Sequence, residues 1–118
     1  MRSWTADADE FDDPDSEQSV QIHCAVRSGR RVPAFPDAAS FVAAVVNDAA
    51  ARGLGAAVPF NERMRFGAVR KHLDRFAGLS LPVPCDWPTH VLCDEWNQFH
   101  LVLCGPDRYI SYFWQTTA

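Results

Sequence analysis

The feature that most restricts the fold is a set of three apolar segments that follow one another with very short gaps. The segments span residues 91–95, 99–104 and 109–114. The first gap is Trp96-Asn97 and the second is Gly105-Pro106-Asp107-Arg108. This spacing, and the turn-forming residues within it, suit antiparallel hairpins. The pattern therefore predicts three antiparallel strands in succession.

The preceding residues predict one further strand and two helices. Apolar residues alternate with polar ones from Val20 to Val26, which is typical of a half-buried strand. Asp37 can cap a helix that ends at Gly53, and Asn61 can cap a second helix that ends at Gly78. A proline-rich connection over residues 79–88 then leads into the hairpins. The order β-α-α-β-β-β predicts an α+β fold, with an antiparallel sheet of about four strands and two helices packed on one face.

The charge of the chain divides it into a tail and one domain. The net charge is −4, and residues 1–19 hold seven acidic residues against the single base Arg2. Repulsion between these acids and the scarcity of apolar residues predict a disordered acidic tail over residues 1–19. Residues 20–118 are sufficient for a single α+β domain. No segment has the pattern of a signal peptide or a membrane span, so we expect a cytoplasmic protein without membrane contact.

A cluster of potential metal ligands and nucleophiles lies late in the chain. It consists of Cys85, His90, Cys93, His100 and Cys104. The cluster contains no C-x-x-C pair, and strand alternation need not bring its members together. Buried, reduced cysteines and histidines on a polar sheet face are the favoured interpretation, so we predict no metal, no cofactor and no catalytic residue. The alternative is a small Cys/His-dependent enzyme, metal- or thiol-based, and a distant pairing such as Cys93 with His72 stays open.

The second predicted helix has a basic face, which raises a nucleic-acid interpretation. The basic residues are Arg63, Arg70, Lys71 and Arg75. The face lacks the interleaved aromatic residues of a single-strand binder, and the domain as a whole is not strongly basic. We therefore do not expect nucleic acid as a partner, although a nucleic-acid-associated regulatory protein remains an alternative. These charges can also hold the acidic tail.

The last predicted strand carries many aromatic residues. Tyr109, Ser111 and Phe113 share one face of this strand, and Ile110, Tyr112 and Trp114 share the other. Either the strand is central and covered on both sides, or one face presents an aromatic patch to a partner.

The segment Asp94-Glu95-Trp96-Asn97, the later Tyr109 and the ending Tyr112-Phe113-Trp114-Gln115-Thr116-Thr117-Ala118 carry a resemblance. They resemble the final segment of small bacterial proteins, some of which are similar to immunity proteins of polymorphic toxin systems. The resemblance implies a toxin domain as the protein partner and implies no catalytic residue. We therefore predict a small protein-binding module that inhibits a bacterial toxin. Its predicted partner-binding residues are Asp94, Glu95, Trp96, Tyr112 and Trp114.

Overall fold

The computed structural model describes residues 1–7, 11, 17–27, 35–60 and 68–116. These residues form an α+β fold with six strands and three helices. In chain order the elements are β1 (Arg2–Ala6), β2 (Gln18–Val26), α1 (Ala38–Val45), α2 (Asp48–Arg52), β3 (Val58–Pro59), α3 (Ala68–Ala77), β4 (Pro88–Glu95), β5 (Gln98–Cys104) and β6 (Arg108–Thr116). The α+β class is as predicted, but the sheet is larger than the expected four strands.

All six strands form one antiparallel sheet with the order β1-β2-β6-β5-β4-β3. The predicted hairpins are confirmed, since β4 pairs with β5 and β5 pairs with β6. Strand β2 pairs with β6 over its full length, from Gln18 opposite Thr116 to Val26 opposite Arg108. Strand β6 is therefore central, with a neighbour on each side.

Helix α3 covers one face of the sheet and completes the larger core. Val69 and Leu73, one turn apart on α3, are buried against the same face that contains Ile22 and Tyr112. The helix ends at Gly78, whose φ of 64° lies in the left-handed region that a residue with a side chain rarely adopts. The predicted N-cap, Asn61, lies outside the described residues.

Helices α1 and α2 cover part of the opposite face, so the prediction of both helices on one face is wrong. Phe41 and Val42 on α1 pack against Ala25, Val102 and Tyr109. These strand residues alternate with the residues that face α3, which places them on the other side of the sheet. The period of an apolar helix stripe shows which side of the helix is buried, but it carries no information on which sheet face receives it.

The segment that we predicted as one helix from Asp37 to Gly53 is two helices in the structure. Asp37 caps α1 as predicted, since its side chain accepts a hydrogen bond from the Ser40 backbone N–H at 2.8 Å. The side chain of Asn47 then accepts one from the Ala50 N–H, also at 2.8 Å, and starts α2. An asparagine that satisfies a backbone donor in this way competes with helix continuation.

Strand β1 corrects a second prediction, that of a disordered acidic tail over residues 1–19. Arg2 pairs with Cys24 and Ala6 pairs with Val20, so β1 extends the sheet beyond β2. Ala6 and Phe11 are buried in the larger core, and Trp4 packs against it. The acids begin only at Asp7, and this leaves Arg2–Ala6 without the charge repulsion expected of the tail. The remaining acidic segment, 8–10 and 12–16, lies outside the described residues, so its mobility stays a prediction.

Candidate functional site

The turn between β4 and β5 presents the first candidate site. We call Asp94, Glu95 and Trp96 the hairpin surface. All three are exposed, and the indole of Trp96 is 70% exposed, which is unusual for a side chain of this size. Two hydrogen bonds hold the turn, one from β5 and one from β6: Gln98 Nε2 donates to Glu95 Oε2 at 2.9 Å, and the Thr116 backbone N–H donates to the Asn97 carbonyl, also at 2.9 Å. The exposed ring therefore projects from a fixed piece of backbone.

Two other predicted partner-binding residues lie inside the molecule. Tyr112 is 1% exposed and Trp114 is 6% exposed, both in the core beneath α3. Tyr112 shares a 2.6 Å hydrogen bond with His72 Nδ1, and Trp114 Nε1 donates to Gln18 Oε1 at 2.9 Å. Of the two interpretations of the aromatic strand, the central position of β6 favours the covered one. Tyr112 and Trp114 therefore have no surface to present to a partner in this fold.

The late cysteines and histidines do not converge on one point. Cys85 lies in the core beneath α3, whereas Cys104 packs on the opposite face with α1 and α2. Only Cys93 and His100 are direct neighbours, as a cross-strand pair between β4 and β5. His72 is a residue of α3 that points to the sheet face holding Tyr112, on the other side of the sheet from this pair, so the Cys93–His72 pairing is excluded in this fold. The structure describes all four cysteines, and all are free.

The Cys93–His100 pair opens into a cleft, which is the second candidate site. We call it the sheet cleft. It has a volume of about 450 Å³ and lies between the α1–α2 segment and strands β2, β4, β5 and β6. Its lining residues are Gln21, His23, Val45, Val46, Ala50, Leu92, Cys93, Gln98, His100, Ser111 and Phe113.

Hydrogen bonds fix the two imidazoles of the sheet cleft. His100 Nε2 lies 2.8 Å from the Ser111 hydroxyl oxygen, and its ring contacts the ring of Phe113 with centroids 5.0 Å apart. His23 Nδ1 lies 2.7 Å from the hydroxyl oxygen of Ser3 on β1. Strand β1, which the sequence analysis missed, thus positions one wall of the cleft.

Burial keeps these imidazoles uncharged. It lowers the pKa of His100 to about 4, and the neighbouring His23 contributes further to this lowering. Burial also lowers the pKa of His23. The pKa of the Cys93 thiol is raised, first by desolvation and then by the carboxylates of Glu95 and Asp94. At neutral pH the cleft therefore holds neutral imidazoles and a protonated thiol, which is a weak nucleophile.

Cys93 and His100 belong to the cluster predicted from the sequence, whereas His23 and Ser111, which complete the polar wall of the sheet cleft, do not. Strand alternation gave part of this information. It places Gln21 and His23 on the same face of β2, and it assigns Ser111 to one of the two faces of β6. The missing information was the pairing of β2 with β6, which joins residues from the two ends of the domain.

Neither site has the composition of a metal centre. Across residues 1–7, 11, 17–27, 35–60 and 68–116, no group of three or more His, Cys, Asp or Glu side chains is arranged to hold a metal ion. Within the same ranges, no helix is long and apolar enough to cross a membrane.

Comparison with known proteins assigns this chain to no family. No protein-family model, no curated protein and no solved structure matches this chain at a significant level.

Proposed function

We propose that this protein is a small protein-binding module, most concretely an immunity-type inhibitor of a bacterial toxin, and that it contacts its partner through the hairpin surface. The observation that carries the proposal is the 70% exposed indole of Trp96 on a braced turn, directly after two acidic residues. Interfaces concentrate their binding energy in a few aromatic anchors, and Trp is among the most enriched of these. An exposed Trp on a fixed turn also loses little conformational freedom on binding.

The acids beside Trp96 suit a basic partner. Asp94 and Glu95 directly precede the anchor, and residues 1–19 add seven more acidic residues to the chain. Charge of one sign accelerates encounter with a surface of the other sign, and the active sites of nucleases are commonly basic because they bind phosphates. An inhibitor of such a toxin needs no catalytic group of its own.

The two other function classes have less support. A thiol enzyme would need an activated cysteine, whereas the pKa of Cys93 is raised. On the basic face of α3, Lys71 and Arg75 are exposed, but Arg70 donates to the carbonyls of Leu81 and Pro82 at 2.8 and 3.0 Å. Arg75 lies over the ring of Phe76, 5.1 Å from its centroid. Both arginines thus have intramolecular contacts that explain their positions.

Binding kinetics of Trp96→Ala test the anchor. The candidate partner is the product of the gene beside the one for this protein, and binding is measured by surface plasmon resonance. We expect dissociation to accelerate about 30-fold, which corresponds to about 2 kcal/mol for an anchor residue, with the thermal midpoint unchanged. Val83→Ala, at an 83% exposed aliphatic residue in the connection before β4, is the matched control and should leave dissociation unchanged. Loss of stability with unchanged dissociation would reject the anchor, and a neighbouring gene that encodes no toxin would reject the inhibitor assignment.

The association rate tests separately whether Asp94 and Glu95 steer the partner toward the hairpin surface. Asp94→Asn with Glu95→Gln should slow association and reduce its salt dependence, because the two carboxylates act mainly before contact. The dissociation rate should change less than it does in Trp96→Ala. Association that is insensitive both to salt and to the double substitution would contradict a steering role.

A further inference from the structure

The sheet cleft exists because α1 and α2 are too short to cover the face beneath them. The eight residues of α1 span about 12 Å, whereas the nine residues of β6 span about 30 Å. The helices cover Ala25, Val102 and Tyr109, and the sheet cleft lies beside them on the same face. The volume of about 450 Å³ falls within the range of small-molecule sites.

The chemistry of the sheet cleft is polar but uncharged. Among the residues that the structure describes, no Lys, Arg, Asp or Glu lines it, although 22% of the chain is charged. Its polar groups are the amides of Gln21 and Gln98, the imidazoles of His23 and His100, and the hydroxyl of Ser111. Amides and neutral imidazoles each offer donors as well as acceptors, so they match a ligand group that also has both.

The apolar part of the cleft offers a place for a ring. Phe113 lies on the sheet side, and Val45, Val46 and Ala50 lie on the helix side. A flat ligand between them buries apolar area on two sides, while its polar edge meets the amides and imidazoles.

We propose that the sheet cleft is a binding site for a small, uncharged aromatic molecule that carries a carboxamide or an equivalent donor–acceptor group. The lining of the cleft adjoins the hairpin surface but includes none of its three residues, so this proposal does not depend on the proposed function. An ion is disfavoured because no charged side chain among the described lining residues can pair with it, and the carboxylates of Asp94 and Glu95 lie outside the lining.

The test uses three molecules of nearly equal shape that differ in charge: benzamide, benzoate and benzamidinium. Each is titrated into the full-length protein at neutral pH and followed by ¹H–¹⁵N correlation spectra. We expect benzamide to shift the amide signals of Ser111, His100 and Ala50 saturably, with a dissociation constant on the order of 1 mM for so small a ligand. The two ions should bind at least about tenfold more weakly, because each would have to lose hydration without gaining a countercharge.

Three results would overturn the proposal. They are equal binding of all three molecules, benzamide shifts located away from the cleft, and no benzamide shift at concentrations of about 20 mM, well above the expected dissociation constant.

Two variants locate the site. Ala50→Leu fills the cleft from α2 and should weaken benzamide binding at least about fivefold through lost space. Ala49→Leu, at an exposed neighbour on the same helix, is the matched control and should not weaken it. Unchanged benzamide binding in a folded Ala50→Leu protein counts against the site.

The second variant keeps the proposal testable if Ala50→Leu does not fold. Gln21→Arg places a cation at the exposed rim of the cleft and should strengthen benzoate binding relative to benzamide by about tenfold, whereas the exposed Ser80→Arg should not. An unchanged ratio in Gln21→Arg counts against the site in the same way.

Discussion

Acidification should destabilise this protein well before its carboxylates are fully protonated, because of the buried His72. Burial lowers the pKa of His72 from 6.5 to about 4, with Lys71 and Arg75 adding to the effect. The folded state thus resists protonation, while the unfolded chain accepts a proton at the ordinary pKa. Stability is therefore complete above about pH 6.5, falls as the pH drops from there toward 4, and loses nothing further from this group below that.

The size of the effect follows from the two pKa values. The full difference between 6.5 and about 4 is worth about 3 kcal/mol, and about 2 kcal/mol of it should be lost by about pH 5. The local contacts explain why the folded state disfavours the charged ring. His72 is 8% exposed, its Nδ1 lies 2.6 Å from the Tyr112 hydroxyl oxygen, and the rings of Phe11 and Phe76 lie against it.

Denaturant unfolding of the wild-type protein and of His72→Gln, measured at several pH values, tests this reasoning. We expect the variant to be less stable at neutral pH but to lose about 2 kcal/mol less than the wild type between about pH 7 and about pH 5. Carboxylates and His100 titrate in both proteins, so their contributions cancel in the comparison. Parallel stability curves for the two proteins, or an NMR titration of His72 with an ordinary pKa in the folded state, would refute the argument.

Further predictions concern single contacts. Gly105→Ala should lower the free energy of unfolding by about 1–3 kcal/mol in denaturant titrations, because a Cβ there would lie 2.8 Å from the Trp87 ring. Gly55→Ala, with nothing within 4 Å of the new Cβ, is its control and should not destabilise the fold. Tyr112→Phe should cost about 1–3 kcal/mol, because it leaves the buried Nδ1 of His72 without its hydroxyl partner. A Tyr112→Phe protein as stable as the wild type would show that this hydrogen bond makes no net contribution to the free energy of unfolding.

The local elements of the fold were predictable because their signals lie within short stretches of chain. The hairpins followed from gap length and turn residues, and the α1 cap at Asp37 followed from one side chain. Strand β3 was missed because it has only two residues, one of which is a proline. Strand β1 was missed because it precedes an acidic run and has no clear alternation of its own.

The arrangement of these elements was less predictable, because it depends on contacts between distant segments. Aromatic residues on both faces of β6, such as Tyr109 and Tyr112, left open whether the strand is covered on both sides or presents a patch to a partner, and only the structure shows that both are buried. The hairpin surface was predictable as an exposed turn. The sheet cleft was not, because His23 and Ser111 become neighbours only through strand pairing between residues 88 positions apart.

The central position of β6 has a consequence for how the protein folds during synthesis. Among the six described strands, β1 and β2 join the rest of the sheet through β6, which is the last of the six to leave the ribosome. Strands β1 and β2 therefore lack their partner strand β6 while the helices and the β4–β5 hairpin emerge. Pairing over so long a separation slows folding, because the entropy of loop closure must be lost before the contacts form. The open edge of β2 is exposed to other chains throughout that interval, so a nascent chain that stalls before β6 is the form most prone to aggregate.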